Sequence, residues 1–271
     1  MVAPSHRAGP RDLRRARAVA RRLGAPLVPP GPSSAPLEYR VEQGAEYVLC
    51  SGERLSPHPG LWLQKSSVGP RHPLLMALAP DGSPRRILDA TAGLGQDALH
   101  VAGFGPQVLA AEAVAVLGCL LQGFLRRAAG APVPWSSAAG RVRVVLADHR
   151  DLLPLMKSHS LDAVFFDPMF HEPRKSAPGF EAFRSWARAE PLSRGALVEA
   201  TRVAQRRVVV KVPAGHRLKL ADGGPEGLGF NRRVPSRAFD YWVIEKRGPA
   251  RWAAPKVRRR PDQQPQPPAG P

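Results

Sequence analysis

From Arg86 onward, short apolar runs alternate with longer segments of helical periodicity, and each of the runs at Arg86–Asp89 and Ala163–Asp167 ends in a carboxylate. This alternation is the pattern of a parallel sheet covered on both faces, each strand returning through a helix. The further runs are Val108–Glu112, Val142–Leu146, Arg207–Val212 and Tyr241–Glu245. Between them the spacing predicts helices over Asp97–Phe104, Ala113–Ala129, Phe180–Arg188 and Pro191–Ala204, with only a turn near Leu152–Met156. The fold class is α/β, a Rossmann-like, doubly wound sheet.

Ahead of that pattern, Leu13, Ala16, Val19, Ala20 and Leu23 recur at helical spacing and stop at Gly24, with arginines filling the opposite face. A Pro- and Ser-rich connector, Pro29 to Pro36, leads to Glu46–Cys50 and Glu53–Leu55, which read as a hairpin closed at Ser51-Gly52. A helix over Pro73–Leu78 follows. The organisation expected is a small N-terminal α/β module with a basic helix (1–78), a main domain (79–247) and a Pro-, Gln- and Arg-rich tail (248–271) too poor in apolar residues to fold.

Composition narrows the setting. With 271 residues, 43% of them hydrophobic, the chain can bury one α/β domain and an appendage. No apolar run approaches the roughly 20 residues that span a bilayer, so no membrane is expected. The Arg-rich start has the charge of a transit peptide but runs on into folded sequence, which favours a cytoplasmic protein. Cys50 and Cys119 lack metal-ligand spacing and read as buried thiols, so no metal is expected. The 40 Lys and Arg against 22 Asp and Glu, a net charge of +18, point to a polyanionic partner, nucleic acid first. Codon bias explains Arg in place of Lys, not the excess of cations.

In open parallel sheets, ligands bind beyond the carboxyl ends of the strands, where strand order reverses. Asp89-Ala90-Thr91-Ala92-Gly93-Leu94-Gly95 lies at such an end. Gly93 and Gly95 allow a sharp turn and a close backbone approach, and the helix starting near Gln96 offers free N–H groups. A dinucleotide motif would need a third glycine, but Asp97 stands beyond Gly95. Asp89 would repel a pyrophosphate and suits the cationic methionine end of S-adenosylmethionine. Glu112, ending the next strand, can accept from both ribose hydroxyls. Asp148, with His149 beside it, is placed to meet the adenine amino group.

Val164-Phe165-Phe166-Asp167-Pro168-Met169-Phe170 reads as a buried strand and a rigid corner. Pro168 fixes φ and aims the neighbouring carbonyls. Asp167 and one such carbonyl can accept the two N–H donors of an exocyclic base amine, while Phe170 offers a stacking face. Transfer would then rest on positioning and charge complementarity. The polar, basic segment after it, containing Arg174 and Lys175, suits the substrate backbone. Lys211 either meets a phosphate or the base, or simply ends its strand.

Asp89 to Asp97, Asp167-Pro168-Met169-Phe170 with Lys175-Ser176-Ala177, and Arg207 to Lys211 together resemble the RsmJ-type family, bacterial small-subunit (16S) ribosomal RNA guanine-N2 methyltransferases. The likeness runs from about Val19 to Glu245. It implies a class I methyltransferase sheet, S-adenosylmethionine as cofactor, and cofactor contacts at Gln96, Asp97, Glu112, Ala113, Asp148, His149 and Asp167. It also implies ribosomal RNA or the small subunit as partner. Departures are Ala113, where the family usually has arginine, and Asp148 and His149, where it usually has two small hydroxylated residues. The expected activity is methylation of a guanine N2 amine. The alternatives are another planar amine, adenine N6 or a protein glutamine, and a non-catalytic RNA-binding assembly factor.

Overall fold

The protein is described here by a computed structural model covering residues 1–29, 35–50, 53–57, 67–80, 85–168 and 191–246. The predicted helix over Phe180–Arg188 and the tail from 248 lie outside these residues. The first elements are β1 (Val2–Pro4), α1 (Pro10–Leu23), β2 (Leu37–Glu42), β3 (Ala45–Cys50) and β4 (Glu53–Leu55). They form a four-stranded sheet in the order β1-β2-β3-β4, parallel at its first pair and antiparallel elsewhere. The expected β3–β4 hairpin is present, with Cys50 opposite Glu53. The sequence pattern does not mark strands β1 and β2. The first has only three residues, and the second interleaves Tyr39 and Val41 with the paired charges Glu38 and Arg40.

The helix α2 (Pro73–Leu78) buries Leu74, Leu75, Ala77 and Leu78 in the core of the larger sheet rather than against the small one. Then come β5 (Arg86–Asp89), α3 (Gln96–Gly103), β6 (Gln107–Glu112), α4 (Ala115–Ala129), α5 (Trp135–Ala139) and β7 (Val142–Leu146). They are followed by α6 (His149–Leu155), β8 (Leu161–Phe166), α7 (Arg194–Val203), β9 (Ala204–Pro213), β10 (Arg232–Pro235) and β11 (Phe239–Glu245). The seven strands take the order β10-β11-β9-β8-β5-β6-β7, parallel from β9 to β7, with β11 antiparallel to β9 and to β10.

Both faces of this sheet are covered, which is why its central strands are continuous apolar runs. Successive residues point to opposite faces. Ile87, Ala163, Phe165 and Val209 pack with α2, α3 and α4, while Leu88, Val164, Phe166, Val208 and Val210 pack with α7. Helix α4 is buried on two sides: Leu121, Leu125 and Ala128 meet the large sheet, and Leu117, Cys119 and Leu120 meet the small one. Among the described residues no helix is long and apolar enough to cross a membrane.

Several boundaries differ from expectation for local reasons. The helix expected from Ala113 starts at Ala115, because Glu112 holds the Val114 N–H in the preceding turn. The expected turn near Leu152 is a helix, begun at its cap by the Asp148 carboxylate. Helix α7 starts at Arg194 under a cap from Ser193, and Ala204 opens β9 directly.

Candidate active site

Chain order places β5 at the centre, with β6 and β7 to one side and β8 and β9 to the other, so strand order reverses between β5 and β8. Those two strands are direct parallel neighbours, Asp89 lying opposite Phe165. The two turns singled out from the sequence therefore leave adjacent strand ends. They are also hydrogen-bonded to each other: the Ala90 N–H donates to the Phe165 carbonyl (2.8 Å), and the Asp167 N–H donates to Thr91 Oγ1 (2.7 Å).

The turn after β5 is built on its glycines. Gly93 and Gly95 have φ of 54° and 75°, and a Cβ on Gly95 would overlap Leu121 Cδ1 of α4. The Gly93 N–H donates to Glu112 Oε2 (2.7 Å) and the Val114 N–H to Oε1 (2.8 Å), so Glu112 clamps the turn to the end of β6. Burial raises the Glu112 pKa against those two bonds. Each oxygen keeps a second lone pair for a hydroxyl donor. Ala113, beside it, is exposed.

Asp89 is almost completely buried, and its pKa is raised well above the usual carboxylate range, first by burial and then by Asp97, with smaller contributions from Asp167 and Glu112. Four carboxylates thus crowd one strand-end crevice. Lys211, ending the apolar run of β9, places Nζ 3.0 Å from Asp97 Oδ2 and 2.6 Å from Asp167 Oδ2. The lysine is buried, and these two carboxylates raise its pKa despite its desolvation. Its ammonium also lies 4.4 Å from the centre of the Phe239 ring, a cation–π contact. In this structure the Lys211 ammonium is paired internally with the Asp97 and Asp167 carboxylates.

Asp148 and His149 stand at the end of β7, two strands from β5. The Asp148 carboxylate accepts from the Arg150 backbone N–H (2.8 Å) and from Arg150 Nε and Nη2 (3.0 and 2.7 Å), and this pairing holds it well below its ordinary value. Asp148, the residue expected to meet the adenine amino group, is engaged with Arg150 in this structure. His149 packs edge-on to Phe166, and burial lowers its pKa. Pro168 is buried; Phe170, Arg174 and Lys175 lie outside the described residues.

Three participants went unread in the sequence: Thr91, which fixes the Asp167 backbone, and Phe239 and Tyr241 of β11. Tyr241 lies directly opposite Lys211 in the sheet. Strand alternation held a usable signal, since Val209 and Lys211 share the face covered by α3, where Asp97 sits.

With this geometry in view, comparison with known proteins is direct. Residues 64–228 match the model of a family described as "Putative SAM-dependent methyltransferase", SAM being S-adenosylmethionine. That match spans more than half of the chain. The chain belongs to this family. Similar curated proteins include "Ribosomal RNA small subunit methyltransferase J" of Laribacter hongkongensis, 38% identical over 149 residues, covering 54% of this chain and 53% of the relative. The protein of the same name from Actinobacillus pleuropneumoniae is 34% identical over 58% of this chain and 62% of its own length. The chain therefore spans about half to three-fifths of these relatives. A solved SAM-dependent methyltransferase from Neisseria gonorrhoeae has the same fold, with a TM-score of 0.67 and 23% identity over 92% of this chain and 96% of that one.

The crevice of this family member fits SAM. Among the described residues its carboxylates outnumber its lysine, and the neighbouring carboxylates help raise the Asp89 pKa, a strain that a sulfonium and an ammonium would relieve. Asp89, Asp97 and Glu112, with the backbone of Gly93, Gly95 and Gln96, are the groups that would hold it.

Proposed function

We propose that the protein methylates the exocyclic N2 amine of a guanine in small-subunit ribosomal RNA, in the cytoplasm. The observation that carries this reading is the pairing of the Asp89 turn and the Asp167 corner across the strand-order reversal, in a chain similar to proteins named for small-subunit ribosomal RNA methylation.

SAM supplies the electrophilic methyl group. The protein's task is to bring an amine lone pair in line with it and to exclude other orientations. Asp167 accepts one amine N–H and a carbonyl of the Pro168 corner accepts the other, with Phe170 stacking on the base. Asp167 need not be a strong base, because the amine proton becomes acidic only as the new bond to carbon forms. Arg174 and Lys175 meet the RNA backbone.

The basic helix supports the choice of RNA. Arg11, Arg14, Arg17, Arg21 and Arg22 of α1 are exposed, and Arg126 and Arg127 are exposed at the end of the packed helix α4. A phosphodiester backbone meets this face favourably, and its contacts are salt-sensitive.

The test supplies the protein and labelled SAM to small subunits, and separately to naked 16S RNA, from a strain lacking the gene, followed by nucleoside mass spectrometry. The expected product is N2-methylguanosine. Label only in N6-methyladenosine or in a protein glutamine would overturn the choice of acceptor. Failure to bind SAM in a calorimetric titration would overturn the enzyme reading and leave the assembly-factor alternative.

A further inference from the structure

We propose that Lys211 is a positioning residue for Asp167: anchored on Asp97, its ammonium fixes one carboxylate oxygen and keeps that carboxylate charged toward the acceptor amine. This rests on the reading of Asp167 as the group that meets the amine.

The geometry is a buried bridge between two elements far apart in sequence. Asp97 lies in the first turn of α3 and Asp167 just beyond β8, and one ammonium from β9 joins them. The side chains of Lys211 and Asp97 are 8% and 9% exposed, whereas Asp167 is 32% exposed. The bridge is thus closed at its Lys–Asp97 end and open toward solvent at Asp167. Ring contact with Phe239 limits the lysine from the β11 side.

Charge gives the bridge a reason. Facing this space are Asp89 from β5, Asp97 from α3, Asp167 after β8, Lys211 from β9 and Tyr241 from β11, with Glu112 of β6 acting on Asp89. Like charges so close disfavour each other's ionisation. A proton on the Asp167 oxygen that faces the amine would turn that acceptor into a donor and cost it the amine N–H. Lys211 offsets this repulsion where the amine is to be held. Because its own pKa is raised, it stays charged through the neutral range and does not take up the amine's proton.

The variants are Lys211→Met and Lys211→Gln, the second still able to donate a hydrogen bond and therefore less disruptive if the first does not fold. Removing the ammonium should lower kcat about 10- to 100-fold and move the acid limb of the kcat–pH profile up by about one unit, with KM for RNA within about threefold of wild type. Lys211→Arg, which keeps the charge, should restore the position of the acid limb. The competing role, a phosphate contact, predicts the opposite split: a raised KM, a binding–salt slope smaller by about one, and an unmoved pH profile. That outcome, or wild-type kcat and profile in a folded variant, overturns the proposal. If wild-type protein transfers no methyl to guanine, the functional reading fails instead, so the two failures are separable.

Discussion

Glu46 and Asp97, beside Lys211, are both withdrawn from water, yet the charges around them are balanced differently. Glu46, on β3, receives Arg15 from α1, Arg126 from α4 and the Tyr39 hydroxyl from β2. One anion there meets two cations and a neutral donor, and Gly123 of α4 leaves room for it, since a Cβ at that position would overlap the carboxylate. At the strand-end crevice Lys211 pairs with Asp97 and Asp167, while the charges of Asp97, Asp167 and Glu112 act on Asp89. The first cluster is satisfied within the fold and joins the small sheet to α4. Among the described residues, the second brings four carboxylates near one ammonium, and burial and its neighbours raise the pKa of Asp89. Buried charge paired within the fold serves cohesion; carboxylates crowded at a strand-end crevice, one of them with a raised pKa, suit a cationic ligand.

The comparison can be broken most decisively at Asp167. Asp167→Ala should reduce single-turnover methyl transfer by about 10²- to 10⁴-fold while SAM affinity, followed by calorimetry, changes less than about tenfold. Undiminished transfer removes the assigned role. Next in size is Glu46→Ala. Urea unfolding should show a loss of about 2 kcal/mol, at the low side for a buried pair because Arg126 can turn to solvent, with kcat of the folded protein within about twofold of wild type. A loss of activity without a loss of stability would reverse the distinction between the two clusters.

Gly95→Ala probes the cradle of the crevice. Its left-handed backbone and the encounter with Leu121 should together cost about 1–2 kcal/mol of stability and weaken SAM binding about fivefold. Unaltered affinity would show that the turn does not shape the cofactor site.

The smallest effect is a proton. Because the folded-state pKa of Asp89 is raised, the folded protein holds this proton at pH values where the unfolded chain has lost it. Stability from this group therefore falls as pH rises from the ordinary carboxylate range through the raised value. A bound cation favours the ionised form, so SAM binding should release up to about one proton below that raised value, and affinity should increase with pH there. Calorimetry in buffers of different ionisation enthalpy reads the release directly. No net proton exchange would mean that the cation does not sense Asp89.

What the sequence disclosed follows from how local each signal is. Alternating runs such as Val208-Val209-Val210 mark strands buried on both faces, and Gly93 and Gly95 mark a turn, because each pattern is complete within a few residues. The pairing of Lys211 with Asp97 spans 114 positions, and the Glu46 cluster draws on four separate elements, so neither leaves a contiguous pattern. Asp148 is a subtler case. Its position at a strand end was legible, but its commitment to Arg150, two residues on, depends on a helix that periodicity reduced to a turn.

Helix α4 begins three residues after Glu112 and is a wall of both hydrophobic interiors. Stripping away the first seventy residues would leave Leu117 and Leu120 facing water on the very rod that starts beside Glu112. The two interiors are therefore not independent: loss of the small sheet would expose one side of the helix whose other side lines the core of the large one.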